Sequence, residues 1–360
     1  MTRILLLSAY RSDSHAAWVD WLTRNIEGVE WVVRELPGRH FAWRIRGNPL
    51  SWLDDIPADP PDRVLATSMV DLATLKGIHP QLAGVPTTYY FHENQLAYPV
   101  SRNQVKTIEH AIVQIYGALA ADELLFNSDY NRRTFLEGTA EFAAKMPDRA
   151  PRDLPERLAP KCRVLPVPIE PVPAAEKRDR KLIVWNHRWE YDKRPELFAE
   201  AVCRLADQGV DFRLALLGKR PRNTPQALTR IRERLPDRVV ADGLLPREDY
   251  RALLGRAGVV VSTADHEFQG LAMLEAVSAG AIPVVPDALC YREQYPERFR
   301  YQAGDTASLV QILGKRLAAH NLVAPDVRDW SEERLRERWR AALLGVTCEK
   351  NSVPKGRGFC

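Results

Sequence analysis

The sequence predicts an α/β protein built from two doubly wound, parallel-sheet domains that face a central cleft. Three observations lead there. The chain has 360 residues, too many for one ordinary core and suited to two domains of roughly 150 residues each. Strand-like and helix-like segments alternate through both halves, the rhythm that places helices on both faces of a parallel sheet. Between the halves lies a stretch rich in proline, from Pro147 to Pro173.

In the first half, 3–9 reads as a buried strand and 15–25 as a helix, with Trp18, Leu22 and Ile26 along one face. Further strands are expected at 29–36, 63–68 and 85–91. A long helix over 104–121 stops before a strand at 123–127. Asn127, Ser128 and Asp129 offer capping side chains to a helix over 129–144. The strand at 162–167 is the last of this half. Eight prolines between 146 and 175 exclude long helices, because each fixes φ and removes a backbone donor. The charged run 176–181 follows, which places the first domain at 1–175 and the second at 176–345.

The second half repeats the rhythm. Strands are expected at 182–186, 212–217, 238–240, 259–262 and 282–285, with helices at 194–207, 225–235, 247–256 and 270–280. Gly280 is placed to cap the last of these, and Pro283 follows. Helices at 306–320 and 331–344 complete the domain. The tail 346–360, with Lys350, Lys355 and Arg357, is expected to be mobile.

Composition narrows the function classes. With 45% hydrophobic and 27% charged residues, the chain is neither mainly disordered nor collagen-like. Apolar runs such as 4–7 and 257–261 fall far short of the ~18 residues of a membrane span, and 1–3 lead into a strand with no signal-peptide pattern. A cytoplasmic protein is expected. A net charge of +4 permits an RNA or anionic partner without requiring one. The five cysteines are odd in number, widely spaced and form no CxxC, so reduced structural thiols are expected rather than disulfides or zinc.

Chemistry gathers at two loops. In the run 267–275, Glu267 and Glu275 stand eight residues apart, with Gly270 opening a helix after the strand 259–262. Ligands of doubly wound sheets bind at the carboxyl ends of the strands. Glu267 would lie in the loop at that mouth, and the amides of Gly270 and Leu271 would point at an anion. The second loop, 186–195, carries Arg188 and Lys193 just after the first strand of its half. One guanidinium fork and one ammonium suit a pyrophosphate. Each pattern alone also fits a solvated loop, but both are predicted on the same rim.

These residues carry a resemblance. His266, Glu267 and Glu275, with Arg188 and Lys193, resemble the retaining glycosyltransferases of family 4, which have the GT-B fold of two Rossmann-like domains. That resemblance implies that Glu267 contacts the transferred sugar, Glu275 the nucleotide ribose, and Arg188 and Lys193 the donor diphosphate, with His266 beside them. A more specific likeness runs through nearly the whole chain. Ser14-His15, the segment 36–44, the string Phe-His-Glu-Asn-Gln-Leu-Ala-Tyr-Pro at 91–99, the segment 126–128, Trp185 to Glu190 and the segment 263–268 resemble the tRNA-queuosine α-mannosyltransferase family. This implies GDP-mannose as donor and queuosine at the wobble position of tRNA(Asp) as acceptor. It departs from many GT-B enzymes in one place, since the loop 10–15 after the first strand has no glycine.

For the first domain, His92 at a strand end is expected to face the sugar. Glu93, Asn94 and Gln95 beside it, with Ser14, His15 and Asn127, are assigned to the acceptor. The segment 34–48 combines Arg34, Arg39, His40, Phe41, Trp43, Arg44 and Arg46 with a single acid, Glu35. Cations among aromatic faces suit an unstacked anticodon loop, so Arg39, Trp43, Arg44 and Arg46 are expected to hold tRNA. The bland alternative is compositional, since 40 of the 51 basic residues are arginine. No Asp-x-Asp triplet occurs, so no metal or other cofactor is expected, and Arg188 with Lys193 would neutralise the leaving group. Three alternatives stay open on sequence: another sugar or a polysaccharide or lipid acceptor, a nucleotide-sugar epimerase, and a non-catalytic RNA-binding protein.

Overall fold

The computed structural model describes residues 1–98, 108–147, 149–319 and 321–345. The first lobe runs β1 (Thr2–Arg11), α1 (Asp13–Asn25), β2 (Val29–Pro37), α2 (Phe41–Ser51), β3 (Arg63–Thr67), α3 (Leu72–Ile78), β4 (Thr87–Phe91), α4 (Glu109–Ala120), β5 (Glu123–Phe126), α5 (Asp129–Lys145), α6 (Leu154–Leu158) and β6 (Cys162–Val164). The second runs β7 (Asp179–Trp185), α7 (Pro195–Asp207), β8 (Arg213–Leu216), α8 (Gln226–Arg234), β9 (Val239–Asp242), α9 (Arg247–Arg256), β10 (Ala257–Val261), α10 (Leu271–Ser278), β11 (Ile282–Pro286), α11 (Tyr291–Gln294), β12 (Arg300–Tyr301), α12 (Thr306–Ala318) and α13 (Glu332–Leu344).

Among the described residues these strands form two six-stranded sheets, ordered β2-β1-β3-β4-β5-β6 and β12-β11-β10-β7-β8-β9. Every strand pairing is parallel. Strands covered on both faces read as continuous apolar runs, and Ile4 to Leu7 and Val259 to Val261 are almost wholly buried. The second sheet follows the doubly wound order with its reversal between β7 and β10. No helix among the described residues is long and apolar enough to cross a membrane.

Besides the short elements α3, α6, α11 and β12, which the sequence does not announce, two features differ from the expected organisation. The first is α2, which the sequence does not announce because Gly47 and Pro49 interrupt it. Tertiary contacts hold it instead. Buried Asn48 donates from Nδ2 to the carbonyls of Arg44 (2.8 Å) and Met69 (3.2 Å) and accepts from the Asp71 amide (3.2 Å). The Trp43 indole lies over Gly47, where an added Cβ would stand 2.4 Å from the ring.

The second is α13. A boundary at 175 assigns it to the second domain, yet Leu335, Trp339 and Leu343 pack with Ile4, Leu6, Trp18 and Leu22 of the first. Trp339 Nε1 donates to the Pro166 carbonyl at 3.0 Å, and Trp21 Nε1 donates to Glu332 at 3.0 Å. The chain thus returns to the first lobe. Of the expected helix 104–121, the part at 104–107 lies outside the described residues, as do His320 and the tail 346–360.

Candidate active site

The two loops singled out in the sequence flank the reversal point of the second sheet. β7 and β10 lie side by side, and the chain leaves them in opposite directions, which opens a crevice at their carboxyl ends. The loops are tied to each other. The Asp265 amide donates to the Asp192 carbonyl (2.8 Å), and Thr263 Oγ1 donates to the Lys193 carbonyl (2.7 Å). Gly218 lets the end of β8 close on them: its φ is +90°, and a Cβ would sit 2.0 Å from the His187 carbonyl oxygen.

Lys193 organises the centre. Its side chain is only 9% exposed. The ammonium donates to the His266 carbonyl (2.6 Å) and to Glu267 Oε2 (3.1 Å), and lies 3.3 Å from Asp192 Oδ2. Burial alone would push the Glu267 carboxyl up. Lys193, His187 and the Gly270 amide outweigh it and hold Glu267 at about 2. Glu267 is therefore a fixed negative charge. The Gly270 amide, expected from sequence to face a ligand anion, is spent on this carboxylate. Gly270 takes φ +68° to begin α10 at Leu271, a conformation that costs other residues strain.

Glu275 is reached through a relay. Asn186 Nδ2 donates to Tyr250 Oη (3.1 Å), and Tyr250 donates to Glu275 Oε2 (3.1 Å). Burial raises the Glu275 carboxyl, with Tyr250 acting against it. Arg188 is half-exposed, paired with Glu190 at 2.8 Å and 3.9 Å from Asp192. Arg188 and Lys193 are thus unequal: the first is at the rim, the second is engaged inside. His187 and His266 are buried, each with Nε2 lacking a partner among the described residues. Burial lowers both to about 4, so both rings are neutral near pH 7.

The first lobe brings the end of β4 opposite. His92 stacks on His15 (ring centroids 4.1 Å) and meets Trp18 and Tyr90 edge-on (4.7 Å each). Burial, then the neighbouring His15, depress its pKa well below the usual imidazole range, and its Nε2 has no partner among the described residues. Glu93 comes next. Gln95 Nε2 donates to its Oε1 at 3.1 Å. Burial pushes its carboxyl up to about 7, against the pull of Arg188 and Lys193 from the other lobe.

Three residues assigned to the acceptor from sequence have other tasks. His15 is buried beneath His92 rather than presented at the surface. Asn94 donates to Asn131 (2.9 Å) and Thr134 (3.0 Å) and accepts from the Ala97 amide (2.8 Å). Asn127 donates to the His92 carbonyl (2.8 Å) and accepts from Asn131 (2.8 Å). The side-chain amides of Asn94 and Asn127 are consumed in shaping the loop after β4, whereas His15 Nδ1 has no hydrogen-bond partner among the described residues. A run of polar residues at a strand end does not distinguish lining a cleft from building its wall.

At the rim, Ser14 and Arg39 are exposed, and Trp43 is 53% exposed. Arg46 is paired with Asp71, and Arg44 has its Nε buried without a partner among the described residues. Phe41 lies edge-on to Tyr10 (5.8 Å) and His110 (5.1 Å). Four site residues escaped the sequence reading: Tyr10, Tyr98, Asp192 and Tyr250. Tyr98 lies against His266 across the cleft, with ring centroids 4.2 Å apart and the planes tilted by 59°, and hydrogen-bonds Arg188. Tyr10 lies close enough for its hydroxyl to sense Glu93 and Arg188. Tyr10 lies near the end of β1, Asp192 and Tyr98 in the loops after β7 and β4, and Tyr250 on α9, so they share no pattern in the sequence.

The sequence of both lobes is similar to known proteins. Residues 3–169 match the family model described as tRNA-queuosine alpha-mannosyltransferase N-terminal. Residues 180–317 match the model described as glycosyl transferases group 1. A Drosophila melanogaster tRNA-queuosine alpha-mannosyltransferase is 36% identical over 316 residues, covering 84% of each chain.

The chain belongs to the tRNA-queuosine alpha-mannosyltransferase family. It is a hexosyltransferase with the GT-B fold. Among solved structures, a lipopolysaccharide outer core galactosyltransferase superposes with TM-score 0.65 at 13% identity, covering 96% of this chain and 99% of that one. Sucrose-phosphate synthase from Thermosynechococcus elongatus superposes with TM-score 0.67 at 12% identity, covering 96% and 100%. At such identities these two likenesses speak for the fold alone.

Proposed function

We propose that this protein transfers mannose from GDP-mannose to queuosine at the wobble position of tRNA(Asp), with retention of anomeric configuration and without a metal. Membership of the family supports the acceptor and the sugar. The observation that carries the reading is the facing of two sets of groups: Arg188, Lys193, Glu267 and Glu275 at the reversal point of the second sheet, and His92 and Glu93 at the end of β4 in the first.

Each group has work suited to its surroundings. Glu275, oriented by Tyr250, accepts the ribose hydroxyls. Arg188 meets the diphosphate and trades its contact with Glu190 for the phosphate oxygens, a charge-assisted exchange that favours a planar fork. Lys193 adds charge from below and fixes Glu267, whose carboxylate accepts hydroxyls of the transferred sugar and stabilises positive charge growing at the anomeric carbon. The neutral rings of His92 and His266 add one hydrogen bond each. The basic and aromatic rim at Arg39 and Trp43 receives the anticodon arm. Incubation with a panel of nucleotide sugars and queuosine-containing tRNA, with the anomeric configuration of the product read by NMR, tests donor and stereochemistry together. A β-linked product or a preference for another sugar refutes this reading.

A further inference from the structure

Transfer to a hydroxyl releases a proton, and the cleft must place a group to receive it. Most candidates are poor. Glu267 is tied to Lys193 and stays ionised to about 2, too weak a base to compete for a hydroxyl proton. His187 and His266, at about 4, are little better. His92 is packed among His15, Trp18 and Tyr90.

Glu93 differs in position and in surroundings. It stands at the carboxyl end of β4 on the lobe opposite the diphosphate cations, and feels both Arg188 and Lys193 across the cleft. Its backbone is pinned: the carbonyl accepts from Ser68 Oγ (3.0 Å) and from Gln114 Nε2 (3.3 Å). Its carboxylate is steered by Gln95 at 3.1 Å. Pinning of this kind suits a group that must meet a reacting atom in one geometry.

We propose that Glu93 accepts the proton of the acceptor hydroxyl as that oxygen attacks the anomeric carbon. The new bond joins the acceptor oxygen to the anomeric carbon. The bond from that carbon to the diphosphate oxygen breaks, and its electron pair leaves with the diphosphate towards Arg188. The hydroxyl proton moves to a Glu93 oxygen and passes to water after product release. The leaving phosphate is then not the main proton acceptor. The inference rests on the reading of the cleft as the transfer site.

Its pH signature follows from the groups facing Glu93: Arg188, Lys193 and Asp192 from the second lobe, Tyr10 from β1, and Tyr98 with Gln95 from its own loop. Burial dominates and sets its carboxyl at about 7. A diphosphate that takes up the charge of Arg188 and Lys193 raises it further. The base form is the active one, so the rate rises with pH through about 7 or slightly above.

The test is single-turnover transfer at saturating GDP-mannose and queuosine-tRNA across about pH 5.5 to 9, for wild type, Glu93→Gln and Glu93→Asp, with both substrate affinities measured separately. Glu93→Gln should be slower by roughly 10²–10⁴-fold near pH 8, the range of a lost general base, and should lose the ascending limb. Both affinities should stay within about threefold. Glu93→Asp should recover part of the rate and keep the limb. A Glu93→Gln enzyme within about tenfold of wild type, or a slow one that keeps the wild-type limb, overturns the proposal, as does a loss explained wholly by weaker binding. If wild type itself transfers nothing to queuosine-tRNA, the proposed function has failed instead.

Discussion

Lys193 and Glu267 form a buried ion pair at 3.1 Å, in which the ammonium also donates to the His266 carbonyl at 2.6 Å. The carboxylate is thereby kept charged where burial would neutralise it. A Glu267 ionising at about 2 rather than 4.5 contributes on the order of 3 kcal/mol of stability. Because its folded pKa is depressed, that contribution is complete above about pH 4.5 and is lost as pH falls towards 2. Lys193→Met leaves the carboxylate buried and unpaired, at a cost of roughly 3–5 kcal/mol near pH 7. The stability gap to wild type, measured by denaturant unfolding, should narrow as pH falls, starting above 4.5, where the buried carboxyl that has lost its cation takes up a proton, and continuing towards 2. A gap independent of pH means that Lys193 does not hold Glu267 ionised.

Arg188 lies at the rim and is the cation free to exchange partners. Arg188→Ala should weaken GDP-mannose binding by about 1.5–3 kcal/mol, the range for a hydrogen bond to a charged group. Calorimetry reads this directly, and chelator should leave the same titration unchanged. Undiminished affinity would remove the diphosphate from this loop, and a loss with EDTA would contradict a metal-free site.

Arg39 and Trp43 are exposed, in the loop after β2 and on α2. Combining Arg39→Glu with Trp43→Ala should weaken tRNA binding by tenfold or more and lower the slope of log affinity against log salt by about one. GDP-mannose affinity should not move, because the donor residues sit on the other lobe. Unchanged tRNA binding would mean that the RNA approaches elsewhere, for instance along the basic stretch 145–163.

Trp339 closes the chain back onto the first lobe. Trp339→Ala empties a site packed by Trp18 and Tyr90 and leaves the Pro166 carbonyl without its donor. A loss of roughly 3–5 kcal/mol is expected in chemical denaturation. A loss under about 1 kcal/mol would mean that α13 adds little to the first core.

Much of this molecule was legible in sequence, and the reasons are local. Runs such as Ile4 to Leu7 and Val259 to Val261 announce buried parallel strands. Glu267 and Glu275 straddle a helix start that a strand must feed. What escaped depends on contacts distant in sequence. α2 exists because Asn48 meets Met69 and Asp71, and α13 leaves its own half because Trp339 finds Pro166. Asn94 and Asn127 look like ligand-facing amides until Asn131 is seen to use both. The inward turn of Lys193, beside an Arg188 left at the rim, is equally invisible in a spacing of five residues.

In the proposed function Glu267, held charged by Lys193, serves sugar transfer to queuosine in tRNA. The most direct measurement is mass spectrometry of nucleosides from queuosine-containing tRNA(Asp) after incubation with GDP-mannose and either wild type or Glu267→Ala. Wild type should convert queuosine to a species heavier by one hexose. Glu267→Ala, still folded and still binding tRNA, should convert it at least ~10²-fold more slowly, the scale of a lost transition-state contact. Glu267→Ala transferring within a few fold of wild type, or wild type leaving queuosine unmodified, would contradict it.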